Sequence, residues 1–152
     1  TCRCTPERIV GYRSRISGPL LDRIDLHVDV PRVPPEVIAG TDRAESSECV
    51  ARRVAAARAR QLQRQGRSNA RIEGAEVITV SRPDEAALAL LDRAMRHLAL
   101  SARAYHRVLR VARSIADLAG SDVVRAAHVA EAVALRQLDR RSGGSALEII
   151  SA

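Results

Sequence analysis

The chain has no lysine, no phenylalanine and no tryptophan, and only two tyrosines, Tyr12 and Tyr105, among 152 residues. With so few rings, the core has to be built from Ala, Leu, Val and Ile, a palette that favours closely packed helices. The same shortage excludes a base-stacking platform for single-stranded nucleic acid, which needs aromatic faces. The absence of lysine excludes a G-x-x-x-x-G-K-[ST] phosphate loop, whose lysine reaches the β- and γ-phosphates. No apolar run approaches the roughly twenty residues that cross a bilayer, and no secretory leader pattern is present. Cys2, Cys4 and Cys49 are odd in number and form no disulfide framework, so a cytoplasmic chain with reduced thiols and no membrane partner is expected. Cys2 and Cys4 make a C-x-C pair that offers two thiolates to zinc. Only Cys49 and scattered histidines remain to complete a tetrahedron, and no metal is expected.

Arginine supplies all 25 basic side chains, and against 18 acids the formal charge is +7. An acidic partner fits that balance, nucleic acid first. The charge is spread along the chain, so any DNA contact should run to the phosphates and weaken steeply with salt.

Helical signals dominate. Thr5-Pro6-Glu7 opens a short helix, with Thr5 as N-cap and Pro6 in the first helical position, and it should end by Gly18-Pro19. A long helix is predicted from Ser46 or Ser47 to Gln65, supported by Glu48 and stopped by Gly66. Its apolar stripe is thin, and Arg52, Arg53, Arg58, Arg60 and Arg64 cover much of the rest, as a solvated face or as a surface for DNA or a partner. Residues 67–81 hold Gly74 and a short alternation at Val77, Ile78 and Val80. Pro83 bars a central strand there, so a loop with at most a weak edge strand is expected. Asp84 or Ser81 begins a helix that ends near Ala99, with Ala87, Leu88, Leu91, Ala94, Met95 and Leu98 on one face. The final helix runs from about Val123 or Ala126 to Arg140, with His128 and Glu131 at the surface, and residues 142–152 form a flexible tail. Residues 32–43, with Pro34, Pro35 and Gly40, read as a linker.

Two arginines stand apart. The first lies in SGPLLDRIDLHVDVP, residues 17–31, where a turn and two leucines lead to Asp22-Arg23 and then to Ile24, Leu26, Val28 and Val30 in alternation. That period predicts a half-buried strand over residues 24–30, with Arg23 at its mouth. A guanidinium held there presents a planar fork suited to phosphate oxygens; alternatively, Arg23 pairs with Asp22 or Asp25. The second lies in LSARAYHRVLRVARSIADLAG, where Ser101 is a good N-cap and Gly120 a good stop. Arg103 falls in the first turn, where the helix dipole disfavours a cation and favours an anion. Either it marks an anion site or it is a solvated side chain whose penalty is tolerated. Arg107, Arg110 and Ser114 share roughly one side with it, as solvated face or interdomain contacts.

Both arginine motifs, together with AAARARQLQRQGRSNA and AAHVAEAVALRQLDRR, resemble the magnesium-chelatase-like branch of the AAA+ ATPases, most closely the ComM (YifB) type. The resemblance covers nearly the whole chain, from Cys2 to Arg141. It implies a mainly α chain, a C-terminal helical lid of about four helices over residues 46–141. Residues 1–45 would be a remnant, helix plus strand, of the α/β ATPase core. A single strand cannot form a sheet, so this first part is expected to pack non-natively or lack order without the rest of the core.

The resemblance further implies that Arg23 is an arginine finger acting in trans on nucleotide bound by the neighbouring subunit. Arg103, with Ser101 opening its helix, would be the sensor-2 arginine touching the γ-phosphate. The whole protein would be a homo-oligomeric, hexameric ring that hydrolyses ATP with Mg²⁺ and remodels DNA, by branch migration during natural transformation. This chain alone would not hydrolyse ATP. Arg58, Arg64, Arg107 and Arg110 are weaker candidates for contacts to DNA or across an interface. Two alternatives stand beside this reading: the lid of a magnesium-chelatase motor subunit, and a plain basic helical DNA-binding module.

Overall fold

The structure is a computed structural model that describes residues 3–21, 23–28, 30–40, 45–98 and 100–136. Among them all regular structure is helical: α1 (Pro6–Arg13), α2 (Gly18–Leu21), α3 (Pro35–Ala39), α4 (Ser47–Gln65), a 3₁₀ turn (Asn69–Arg71), α5 (Glu76–Ser81), α6 (Glu85–His97), α7 (Ala102–Leu118) and α8 (Ala126–Ala134). The described residues are mainly helical, consistent with the helical lid that the resemblance implies.

Local chemistry sets the ends of the long helices. Ser46 caps α4 by accepting from the Cys49 N–H at 3.3 Å, and Gly66 closes it in the left-handed region at φ +70°. Asp84 accepts from the Ala87 N–H at 2.7 Å to start α6, and Ser101 accepts from the Ala104 N–H at 3.1 Å to start α7. Such caps satisfy backbone donors that the first turn leaves open.

α7 is the central element. It packs against α4, α5 and α8, while α6 closes on α8. Val108, Leu109, Ala112 and Ala116 of α7 are fully buried against Leu91 and Ala94 of α6, Val77 of α5 and Val129 of α8. α4 contributes only Ala57 to the interior; Val54 and Leu62 of its expected stripe remain exposed.

Four expectations are corrected. Within the expected linker, Pro35–Ala39 form α3, opened by the proline at its first position. Residues 76–81 form α5 rather than a loop with at most a weak edge strand: Val77 turns fully into the core, and Pro83 lies beyond the helix end, where it breaks nothing. The nearest approach to pairing is an isolated parallel bridge between Pro83 and Val124, whose N–H donates to Arg82 O at 3.2 Å. The strand expected over residues 24–30 is also missing from its described residues. No strand among the described residues offers it a ladder, so Ile24, Leu26, Val28 and Val30 stay exposed and His27 is the buried side chain instead. α8 ends at Ala134 with Leu135 as its C-cap and Arg136 beyond it, shorter than the helix expected to reach Arg140; Cys2, residues 137–140 and the expected tail lie outside the described residues.

A charged network joins α4, α7, the 3₁₀ turn and the loop after α7. Asp117 accepts both Nη groups of Arg64, at 2.7 and 2.9 Å, and the Asn69 amide at 2.9 Å. Arg113, one turn earlier and fully buried, pairs with Asp117 at 3.1 Å and donates to Ser81 O at 3.2 Å, Asp122 O at 2.8 Å and Ser121 O. Burial alone would raise the Asp117 pKa. The bonds from Arg64 and Asn69 and the charge of Arg113 outweigh it and hold the carboxyl below its ordinary value. Burial pulls the Arg113 guanidinium down, opposed chiefly by Asp117.

Candidate nucleotide-facing site

The N-terminal half of α7 presents a face of arginines. Arg103, Arg107 and Arg110 recur at i, i+4 and i+7, so they share one side of the helix. No acidic residue stands in the first turn of α7. Arg103 is exposed, and among the described residues no carboxylate pairs with it.

The next two arginines are committed. Arg107 pairs with Asp25, and Arg110 approaches the same carboxylate at 3.6 Å while donating to Ile72 O at 3.2 Å. Asp25 belongs to the segment that carries Arg23. That segment is fastened twice more, by Arg136 Nη1 donating to Ile24 O at 3.1 Å and by the His27 N–H donating to Leu135 O at 2.6 Å. Residues 24–27 therefore lie across α7 and the end of α8.

Arg23 stands two residues before Asp25. It is exposed, and its own N–H donates to Leu20 O at 3.0 Å. Asp25 is taken by Arg107 and Arg110, and among the described residues no carboxylate pairs with Arg23; Asp22 lies outside them. The chain thus spends its local carboxylate on the lid arginines. Arg23 and Arg103 are left as two exposed cations, Arg23 two positions before Asp25 and Arg103 four positions before Arg107.

The other candidates fall elsewhere. Arg64 is mostly buried in the Asp117 network, so its first role is structural. Arg58 is exposed on α4. Cys4 and Cys49 are free thiols, and among the described residues no three His, Cys, Asp or Glu side chains gather as a metal site. No described helix is long and apolar enough to cross a membrane. Sequence reasoning missed Arg113 and Asp117. Their signal was an opposite-charge pair at i, i+4 beside Ala112 and Ala116, on the apolar side of the helix.

Residues 44–136 match the family model of the C-terminal region of magnesium chelatase, subunit ChlI. The chain belongs to the magnesium chelatase ChlI family. Residues 1–38 match a second model, magnesium chelatase, subunit ChlI, so the arginine face of α7 and the Arg23 segment fall under different ChlI models. Among curated relatives, the chain is similar to the protein YifB of Escherichia coli strain K12, with 42% identity over 91% of this chain and 28% of YifB. It is 39% identical to the competence protein ComM of Haemophilus influenzae, over 91% of this chain and 27% of ComM. A protein of Mycobacterium tuberculosis, Rv2897c, is 38% identical over 92% of this chain and 28% of its own length. The chain therefore spans little more than a quarter of the relatives it matches.

Proposed function

We propose that this ChlI-family chain is the lid end of a ring-forming AAA+ ATPase, in which Arg23 acts in trans on a neighbour's ATP and Arg103 contacts the γ-phosphate. The observation that carries this is the uneven use of arginine around Asp25. Arg107 and Arg110 share that one carboxylate, while Arg23 and Arg103 stay exposed with no carboxylate partner among the described residues. Exposed guanidiniums of this kind fit the oxygens of a polyphosphate. Among the described residues no cluster of His, Cys, Asp or Glu could hold Mg²⁺.

The chemistry asked of these residues is electrostatic. Phosphoryl transfer spreads negative charge over the equatorial oxygens, and a guanidinium placed against them lowers the barrier. Arg23 sits on a segment held to the lid by Asp25, Ile24 O and His27, so a lid movement would shift that arginine. Arg103, at the start of the central helix, would sense nucleotide through α7 itself.

The work done by the ring is proposed to be DNA remodelling, on the net charge of +7 and the similarity to a relative named a competence protein. The family models carry the name magnesium chelatase, which supports a chelatase motor as the second reading. Stimulation of ATPase activity by DNA favours the first; its absence favours the second. In the full-length protein, Arg23→Ala should lower kcat on the order of a thousandfold with nucleotide affinity retained. Arg103→Ala should reduce both. Full activity of both variants would overturn the nucleotide reading.

A further inference from the structure

We infer that the far end of α7, away from Arg103, forms a second anion site built by Arg60, Arg64 and Arg82 for a backbone phosphate of DNA. This rests on the DNA part of the reading above.

The site is an open pocket of about 410 Å³ lined by Arg60, Gln63, Arg64, Arg82 and Asp122. Three guanidiniums meet one lining carboxylate. Arg64 is anchored: Nε donates to Gln65, Nη1 to Asp117, and Nη2 to Asn69 and Asp117. Four of its five N–H groups are used, and one on Nη1 is left over. Arg60 pairs with Asp122 at 3.3 Å, with both side chains well exposed. A pair of that kind is weak and open to exchange for a phosphate oxygen.

Arg82 is the telling residue. It is the only non-glycine among the described residues with positive φ, at +48°, in the left-handed C-cap position of α5. At the other positive-φ positions the sequence uses glycine, at Gly66, Gly74 and Gly120. A left-handed cap ordinarily takes Gly or Asn because a side chain there is strained. The backbone is fixed from both sides, with Arg82 N–H donating to Ile78 O at 3.2 Å and Arg82 O accepting from Val124 N–H at 3.2 Å. The fold thus accepts strain at the one cap that puts a long cation on the pocket. Among the described residues no carboxylate pairs with Arg82.

DNA backbone fits better than a free phosphate because the cations form a row. Arg53, Arg60 and Arg64 fall on one face of α4 at i, i+7 and i+11; Arg53 is paired with Glu45 at 2.9 and 3.2 Å, an exposed pair that a phosphate can exchange with. A row of guanidiniums matches a polymer of phosphates, and each contact contributes about −0.9 to the salt slope of binding.

The test is duplex-DNA binding by fluorescence anisotropy across a salt series, with thermal unfolding of the same variants of this chain. Arg82→Gly should raise the unfolding midpoint, because strain is relieved, and weaken DNA binding on the order of tenfold at 0.1 M salt with a slope shallower by about one. Arg60→Gln should weaken binding likewise. Arg96→Gln, outside the pocket, should cost clearly less. Wild-type affinity and slope in Arg82→Gly and Arg60→Gln would overturn the site while leaving the DNA reading intact, as would equal losses in Arg96→Gln. Absence of DNA binding by the wild-type chain at low salt would overturn both. Arg82-dependent binding of tripolyphosphate without DNA binding would replace the occupant by a free polyphosphate.

Discussion

Asp117 answers Arg64, Arg113 and Asn69 at once, which lets a fully buried guanidinium sit among the backbone carbonyls of Ser81, Ser121 and Asp122. Breaking such a pair is more costly than never having built it, since one charge would be left without compensation. His128 gives the residue scale its clearest prediction. Its Nδ1 accepts from the Arg125 N–H at 3.0 Å at the start of α8, which requires the neutral ring. Burial lowers its pKa, with Arg113 and Arg125 adding to that and Glu131 and Asp84 opposing it. A folded pKa below the unfolded value means the contribution is complete above about pH 6.5 and lost as pH falls through the lowered value. Thermal unfolding should therefore show stability declining on acidification below about pH 6.5. His128→Gln, which keeps an acceptor, should flatten that decline, and an unchanged decline would remove His128 as its cause.

At the scale of elements, α4 and α7 differ sharply despite similar length. α7 buries seven of its residues, including Val108, Leu109 and Ala112, whereas α4 buries only Ala57. Amide exchange should accordingly be slowest in the middle of α7, with α4 opening earlier through local unfolding. Protection of α4 equal to that of α7 would show that the helix is held by more than this packing. The helix ends were legible in the sequence because capping is local: Ser46, Asp84, Ser101, Gly66 and Gly120 carry their own stereochemistry. α5 was not legible, since six residues are too few for a 3.6-residue period to separate from alternation. The strand over residues 24–30 failed for a different reason. Alternation describes one partner of a sheet, and the other partner is not visible in the strand's own residues. In the candidate site, motif and position singled out Arg23 and Arg103, and the structure leaves both exposed. The partner of Arg107 and Arg110 was not legible, because their use of Asp25 spans more than 80 positions in the chain.

At the level of the whole molecule, the proposal above requires that the two exposed arginines serve different nucleotides in a ring. Under the proposal, the lid would supply charge and leverage while the polyphosphate would be held by another part of the protein; a chain without lysine contains no phosphate loop of the usual type. The helical body, the clamp at Asp25 and the ChlI-family membership are consistent with that division. The most direct test mixes two inactive populations of the full-length protein. One carries Arg23→Ala with an intact nucleotide site; the other keeps Arg23 but has its phosphate loop disabled. The account predicts that mixed rings recover ATPase activity, because intact Arg23 from one subunit completes the site of its neighbour. Mixtures that stay as inactive as either component would contradict it.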